Sequence, residues 1–258
     1  MPNTERLFRT EAIIMRRRDF GEADRLLTVF TPGRGKIRLI AKGARKPTSR
    51  KGGHVELFTR VDMLVAKGRD LDILSQVEMV EPYLPLHEDL VRAAYAAHVV
   101  ELLDRFTGEE EENARAYYLL RDTLGFLCTE EIENLRLAAR FYELRLLSWV
   151  GYQPQLFTCV VGNEAVNAQD QYFSYAEGGV VCPEHAHTER MMPLSLGALK
   201  VLRYLQTQDY ETVRVLNLRG ALHAELERVL HGYITYLLEQ RLQSANFLRR
   251  LRRESMAD

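Results

Sequence analysis

A dense group of basic side chains lies between Asp24 and Glu56, an interval that contains no acidic residue. The whole chain of 258 residues has a formal net charge of −1, so this excess of positive charge is local. Like charges at this density repel one another, and such a surface is typical of proteins that bind a polyanion. The alternative interpretation is a solvated basic loop without a partner. The basic residues of the interval are Arg25, Arg34, Lys36, Arg38, Lys42, Arg45, Lys46, Arg50 and Lys51.

The spacing inside this interval predicts two strands and a loop. Apolar residues at 26–30 and 37–40 flank the segment Thr31–Arg34, in which Pro32 and Gly33 suit the second and third positions of a type II turn. Residues 42–53 are too rich in Gly, Pro and Ser for regular structure. A hairpin followed by a flexible cationic loop can track a phosphate backbone. The predicted DNA-binding residues are Arg34, Lys36, Arg38, Lys42, Arg45, Lys46, Arg50 and Lys51.

Residues 7–81 as a whole have a β pattern. A β-branched run at 11–18 precedes the hairpin, and a second hairpin follows from strands at 56–66 and 71–80. Five short strands suit a small closed barrel, and the five-stranded OB-fold is a barrel of this size that binds single strands. Composition leaves an SH3-like barrel open as an alternative. We therefore predict an OB-fold nucleic-acid-binding domain over residues 1–81.

The periodicity becomes helical after Pro82 and Pro85. We predict an α-helical domain over residues 82–258, interrupted by an irregular insert at about residues 152–192. The fold class is therefore α+β with more than one domain. The basic tail at 247–253 suits either a DNA contact or an exposed helix end. The predicted helices span residues 88–106, 114–128, 130–149, 196–207, 210–216 and 218–242.

Several functional classes are disfavoured by what the sequence lacks. There is no apolar run near the ~20 residues that span a bilayer, and no apolar signal core near the N-terminus. Three cysteines do not make a disulfide framework, which favours a cytoplasmic protein. The sequence contains no GxSxG, P-loop, HExxH or zinc-deaminase motif. We therefore expect a binding protein and not an enzyme.

An ordered series of short motifs runs along the chain and carries a family resemblance. In chain order they are residues 11–15, 22–30, 35–36, 41–46, 141–148, 151–154, Cys159, 172–174, 178–179, Cys182 and 242–248. The series resembles the RecO family of bacterial DNA repair proteins, and the resemblance covers essentially the whole chain.

The resemblance implies an N-terminal OB-fold and a helical domain with a small zinc-ribbon-like insert. It also implies binding to single- and double-stranded DNA and annealing of complementary strands in the cytoplasm, at the nucleoid. The implied partners are RecR and, in many bacteria, RecF, which help to load RecA onto strands covered by single-strand-binding protein. The acidic tail of that protein is expected to dock on the helical domain. Two alternatives stay open: an RNA-binding OB-fold protein of translation or ribosome maturation, and a structural adaptor.

The resemblance also raises the question of a metal. The insert of the family carries two Cys-x-x-Cys pairs that close a zinc site, but here Gly162 and His185 stand where the second and fourth cysteines fall. Cys159, Cys182 and His185 supply three of the four ligands that structural zinc prefers. His187 is a candidate fourth ligand, although it follows His185 unusually closely. This count favours an insert that is held by packing and requires no cofactor over one that holds zinc.

Overall fold

The computed structural model describes residues 6–187, 191–240 and 242–254. The chain divides into two compact units, which we call the barrel unit and the helical unit. The barrel unit comprises Met1–Ala96 and Leu103–Thr129, and the helical unit comprises Ala97–Leu102 and Glu130–Asp258. The α+β fold class predicted from the sequence is confirmed.

Five strands form the N-terminal sheet. The order β1-β2-β3-β5-β4 closes on itself, because β1 pairs with both β2 and β4. All neighbours are antiparallel except β3 and β5, which run parallel. The predicted five strands are thus confirmed. Their bounds are β1 Leu7–Phe20, β2 Asp24–Thr31, β3 Gly35–Ala41, β4 Arg60–Ala66 and β5 Asp72–Glu81.

The interior of the barrel follows from the two-residue period of its strands. Alternate residues of β2, β3 and β4 point inward and are buried, so their neighbours form the outer face. An irregularity between Ile14 and Arg16 shifts the register of β1 against β2. Beyond it, Arg16 and Arg18 pair with Thr28 and Leu26, and the four lie on the outer face. The interior includes Ala12, Ile14, Leu27, Val29, Ile37, Leu39, Val61, Met63, Val65 and Leu74.

The turn between β2 and β3 differs from the prediction. The positive φ of +58° falls at Gly35 and not at Gly33, so the type II turn is wrong. The Thr31 hydroxyl accepts a hydrogen bond from the Arg34 N–H at 3.1 Å, which closes a three-residue loop before the left-handed residue. Gly35 is also required sterically, because a Cβ there would lie 1.8 Å from the carbonyl oxygen of Glu111.

Helices complete the barrel unit. They are α1 Pro85–Glu88, α3 Ala114–Thr129 and the two ends of α2 Leu90–Phe106, whose first turn is capped by the Asp89 carboxylate. The sequence placed a domain boundary after residue 81, which is where β5 ends. The compact unit nevertheless extends past that point, because α1, α3 and parts of α2 belong to it.

The helical unit is built around α4, which packs against α5 and α7 and is buried along most of its length. Residues 171–194 contain a three-stranded sheet in the order β7-β6-β8, so the insert is less irregular than predicted. Among the described residues, no helix has the length and apolar character needed to cross a membrane. The bounds are α4 Leu135–Trp149, β6 Gln171–Ser174, β7 Gly179–Val181, β8 Met192–Leu194, α5 Leu196–Thr207, α6 Tyr210–Val213, α7 Gly220–Leu238 and α8 Gln243–Glu254.

Candidate functional site

A basic depression lies on the outer face of strands β1, β2 and β3. Its volume is about 260 Å³, and its lining contains four arginines and no carboxylate. The register explains this, because Arg16 pairs with Thr28 and Thr28 pairs with Arg38, which places three polar residues in one row across the strands. We call this surface the arginine depression. It is lined by Arg16, Arg17, Arg18, Leu26, Thr28 and Arg38.

Carboxylates that are distant in sequence form ion pairs with basic residues in and beside the arginine depression. The Lys36 ammonium donates to the Asp104 carboxylate at 3.1 Å and to its backbone carbonyl at 2.7 Å. Asp104 also pairs with Arg16. Arg38 pairs with Glu109 at 2.8 Å, with both side chains half exposed. The basic interval contains no acidic residue, but the expectation that its charge is uncompensated is wrong, because carboxylates come from α2, from the segment after it, and from Asp19 and Glu56 just outside the interval.

The basic loop that follows β3 is anchored at both ends. At its start, the Gly43 N–H donates to the Asp24 carboxylate at 2.7 Å, and the Arg45 guanidinium lies 3.3 Å from Asp19. At its end, the Lys51 ammonium donates to the carbonyl of Leu74 at 2.7 Å. Burial lowers the pKa of Lys51, since it disfavours the charged form. The loop consists of turns and a short 3₁₀ turn at Gly52–His54.

The eight basic residues predicted to contact phosphate thus fall into two groups. Lys36, Arg38, Arg45 and Lys51 are engaged by the protein. Lys42, Lys46 and Arg50 are exposed and have no carboxylate within 4 Å in the described part of the chain, and we call them the free loop cations. Arg34 also lacks such a carboxylate there, and its guanidinium stacks 4.1 Å from the ring centre of Phe8.

The register places the free loop cations at one end of the barrel. β1 and β3 both end beside the start of β2, since Asp19 pairs with Arg25 and Arg25 pairs with Ala41. The loop begins at Lys42, directly after that point, and Arg18 lies at the same end of β1. Arg18 is exposed and makes no ion pair among the residues that the structure describes. Positive charge that is not neutralised therefore collects at this end.

The helical unit uses charge differently. The Glu143 carboxylate is 1% exposed and accepts from Arg140 and from the His98 imidazole, each at 2.7 Å. The other nitrogen of His98 lies 3.1 Å from the Ser244 hydroxyl at the start of α8. Glu101 accepts the Ser244 N–H at 2.8 Å, which ties the same helix end. We call His98, Arg140 and Glu143 the buried charge cluster.

The basic tail of the sequence is part of this unit. Arg252 makes two hydrogen bonds to the Glu227 carboxylate at 2.5 and 2.6 Å, and Arg249 donates to Asn246. Burial raises the pKa of Glu227, but the Arg252 hydrogen bonds and the charges of Arg140 and Arg252 lower it to about 2. The tail helix α8 is therefore held to α7 of its own unit by the Arg252–Glu227 ion pair.

The insert brings together the metal-ligand candidates Cys159, Cys182 and His185, and adds Glu164 to them. A ligand atom from each of Cys159, Glu164 and Cys182 lies within 4.8 Å of the other two. The Nδ1 atom of His185 is 3.1 Å from Glu164 and 3.7 Å from the Cys159 sulfur. His187 is exposed and does not belong to this group of described residues. All three cysteines are free.

Comparison with known proteins decides the family. Residues 5–83 match the model "Recombination protein O N terminal", and residues 87–246 match "Recombination protein O C terminal". The chain belongs to the RecO family of DNA repair and recombination proteins. The two RecO models meet between residues 83 and 87, close to the end of β5.

Curated RecO relatives align over nearly the full chain. The DNA repair protein RecO of Roseiflexus sp. (strain RS-1) is 43% identical over 95% of this chain and 86% of its own length. That of Symbiobacterium thermophilum is 39% identical over 95% of this chain and 98% of its own length. That of Desulforamulus reducens is 34% identical over 97% of each chain.

Sequence reasoning missed two sets of residues in this RecO family member. Arg16, Arg17 and Arg18 fall at the end of a predicted strand but not among the predicted site residues, although Arg16 and Arg18 share a face by their two-residue spacing. The metal-ligand candidates predicted from the sequence are cysteines and histidines, and so they do not include Glu164. Carboxylate oxygen is also a zinc ligand, and Glu164 follows Cys159 by only five residues.

Proposed function

We propose that the barrel binds the sugar–phosphate backbone of single- and double-stranded DNA and anneals complementary strands. The observation that carries the proposal is the arginine depression together with the free loop cations at the adjoining strand ends. A closed five-stranded barrel in the order β1-β2-β3-β5-β4 supports an OB-fold, whose β2–β3 face binds nucleic acids. Membership of a DNA repair family favours DNA over the RNA of translation or ribosome maturation.

Annealing needs no covalent step, so the proposed role is not enzymatic. Two single strands repel each other through their phosphates, and cations that neutralise the backbone lower this barrier. Backbone contacts carry no sequence information and leave the base edges free to pair. Guanidinium and ammonium groups on an open surface fit this task better than an enclosed pocket for a base.

The two groups of cations have different proposed roles. The free loop cations, with Arg18 and Arg34, contact phosphate directly. Lys36, Arg45 and Lys51 hold the strands and the loop in place through Asp104, Asp19 and the Leu74 carbonyl. Arg38 pairs with Glu109 at the surface, where an ion pair contributes little stability, so it is free to exchange that partner for phosphate.

We further propose that the chain acts in the cytoplasm, at the nucleoid, with RecR, single-strand-binding protein, RecF and RecA. In this scheme the helical unit carries protein contacts, including the acidic tail of single-strand-binding protein. Titration of that tail peptide against the full chain should give the same affinity before and after charge reversal of the free loop cations. Loss of peptide binding in the reversed variant would move the contact to the barrel.

The test of DNA binding is a variant with Lys42→Glu, Lys46→Glu and Arg50→Glu. If six cations contact a single strand, log affinity falls against log salt with a slope near about −4, and three lost contacts reduce the slope to about −2. The affinity at 0.1 M salt should then fall about 100-fold for all sequences alike. Annealing of strands coated by single-strand-binding protein should fall with it.

The control is Arg69→Glu, which reverses an exposed charge in the β4–β5 turn of the same barrel. We expect this change to leave DNA affinity nearly unaltered. Unchanged DNA affinity in a folded triple variant would refute the proposed interface. Tighter binding to RNA than to DNA of the same sequence would favour the translation role, and no binding to either would favour an adaptor.

A further inference from the structure

We propose that Cys159, Glu164, Cys182 and His185 form a four-ligand structural zinc site, in which Glu164 supplies the ligand that a cysteine at position 162 would otherwise supply. All four residues belong to the insert of the helical unit. Two thiolates, an imidazole and a carboxylate are all accepted zinc ligands, and four of them complete a closed structural site.

Cys159 and Glu164 lie at distances from each other donor that suit a single small ion. Zinc bonds of about 2.0–2.3 Å in a tetrahedron place the donors about 3.3–3.8 Å apart. The His185 Nδ1 atom is 3.7 Å from the Cys159 sulfur and 3.1 Å from Glu164. Ligand atoms of Cys159, Glu164 and Cys182 all lie within 4.8 Å of one another. Shifts of about 1 Å or less therefore bring Cys159, Glu164 and Cys182 to the separations that tetrahedral zinc requires, and His185 already lies at such distances from Cys159 and Glu164.

Gly162 shows how the carboxylate replaces a thiolate. A Cβ built on Gly162 would lie 2.0 Å from an oxygen of Glu164 and 2.3 Å from the His185 ring. The space in which a cysteine side chain at 162 would begin is thus filled by the carboxylate and the imidazole. Glu164, two positions after Gly162, thus occupies the space of the cysteine that the Cys-x-x-Cys pair lacks.

The backbone around Cys159 is already arranged for a thiolate. The N–H groups of Gly162 and Cys182 point to the Cys159 sulfur at 3.4 and 3.3 Å. The turn that delivers Glu164 is closed by a hydrogen bond from the Cys159 N–H to the Glu164 carbonyl at 2.9 Å. Asn163 takes a positive φ of 62° within this turn, a conformation that asparagine tolerates. The N–H groups stabilise negative charge on sulfur, as a metal-bound thiolate requires.

Packing alone does not account for this arrangement. Cys159, Val181 and Cys182 form a small buried apolar cluster with Val166 and Tyr172 at its edge. An insert held only by such packing has no need of polar side chains directed at its sulfur atoms. The carboxylate of Glu164 and the imidazole of His185 both converge on the Cys159 sulfur side of the cluster.

The first test is the zinc content of the intact chain, purified without a chelator or a histidine tag. We expect about one zinc per chain in the parent protein. Glu164→Gln keeps the shape of the side chain but removes its charge, and should weaken zinc binding by at least the roughly 10- to 100-fold that loss of an outer-shell partner costs. The matched control is Glu184→Gln, an exposed neighbour of His185 outside the donor group, which should bind zinc as the parent does.

The second test replaces the ligand. In the double variant Gly162→Cys with Glu164→Ala, removal of the carboxylate frees part of the space for a third thiolate, and a shift of the His185 ring frees the rest. Cobalt(II), used as a spectroscopic probe of the zinc site, should show sulfur-to-metal charge transfer from two thiolates in the parent chain. The double variant should regain the affinity lost in Glu164→Gln and show a stronger band, from three thiolates.

Two results would overturn the proposal. A parent chain that carries no zinc and binds no cobalt(II) would show that the insert has no metal site. Zinc affinity in Glu164→Gln equal to that of the parent and of Glu184→Gln would show that Glu164 is not a ligand. The comparison of these two glutamine variants decides the question even if the double variant does not fold.

Discussion

On the barrel, Lys42, Lys46 and Arg50 lie on a surface loop without carboxylate partners in the described part of the chain, whereas in the helical unit Glu143 is buried between Arg140 and His98. The exposed cations keep their hydration, so they cost the fold little and remain available to a ligand. The buried charges have lost water and depend on one another. The same residue types therefore remain available to a ligand in one unit and serve folding in the other.

Lys36 shows that the distinction is not simply one unit against the other. It lies on β3 within the basic interval, yet its side chain is only 11% exposed and its ammonium is held by Asp104. Its role resembles that of Arg140 more than that of Lys46. A charged side chain therefore stabilises the fold or remains available to a ligand according to its burial and ion pairing, and not according to its position in a basic stretch.

The largest expected effect comes from breaking the buried charge cluster. Glu143→Ala leaves the Arg140 guanidinium and its neighbour His98 buried without their carboxylate. Removal of one partner from a buried ion pair costs about 3–5 kcal/mol of unfolding free energy. Urea unfolding should show this loss, while DNA affinity of the folded protein stays unchanged.

Glu133→Ala is the control for this experiment, because Glu133 is an exposed acid just before α4. Its unfolding free energy should stay within about 0.5 kcal/mol of the parent value. A loss below about 1 kcal/mol for Glu143→Ala would mean that the cluster is not the structural element described above. A loss of DNA affinity in folded Glu143→Ala would show that charges of the helical unit also contribute to DNA binding, which contradicts the proposed division between the two units.

An intermediate effect on stability is expected when the pH is lowered. The pKa of Glu227 is lowered to about 2 in the folded chain, so its contribution is complete above the ordinary carboxylate pKa near 4.5 and is lost as the pH falls toward 2. Glu227 and Arg252 are each about a quarter exposed or less, and the contribution is about 1–3 kcal/mol. Arg252→Ala should lower stability at pH 7 and reduce its dependence on pH between about 4.5 and 2. Thermal unfolding across this range measures both.

A parent chain whose stability does not change over that range would contradict the role of the Glu227–Arg252 pair. The control is Arg250→Ala, which removes an exposed charge from the same helix. It should leave the pH profile of the parent unchanged. An equal change in both variants would point to the net charge of α8 and not to the ion pair.

The strands and most helices followed from periodicity, since a buried face repeats every two or about 3.6 residues. Helix α5 at Leu196–Thr207 was predicted to its exact bounds, because Ser195 caps its first turn and accepts the Ala198 N–H. The partners of the basic interval were not predictable in this way. Asp104 and Glu109 follow Lys36 and Arg38 by 68 and 71 residues, and only the folded chain brings them together.

The turn at Gly35 and the proposed ligand Glu164 illustrate a second limit of sequence-based prediction. Two glycines near Pro32 both permit a positive φ, and the choice between them depends on the Thr31 side chain and the close approach of Glu111. The cysteine spacing of the insert showed that a ligand was missing, but not that a carboxylate occupies its place. In both cases the residue type was consistent with several structures, and a contact from another segment selected one.

The smallest effect compares one cation from each group on the barrel. Lys46→Ala removes an exposed ammonium, so the slope of log DNA affinity against log salt should become shallower by a little less than about 1, and unfolding free energy should change by less than about 0.5 kcal/mol. Lys36→Ala should do the opposite: it deprives Asp104 of a partner, lowers the unfolding free energy by about 1–3 kcal/mol, and leaves the salt slope unchanged in the folded protein. Fluorescence anisotropy with a labelled single strand across a salt series, paired with urea unfolding of each variant, measures all four quantities. If Lys36→Ala lowers the salt slope as Lys46→Ala does, Lys36 exchanges Asp104 for phosphate when DNA binds, and the division of the barrel cations into two groups is wrong.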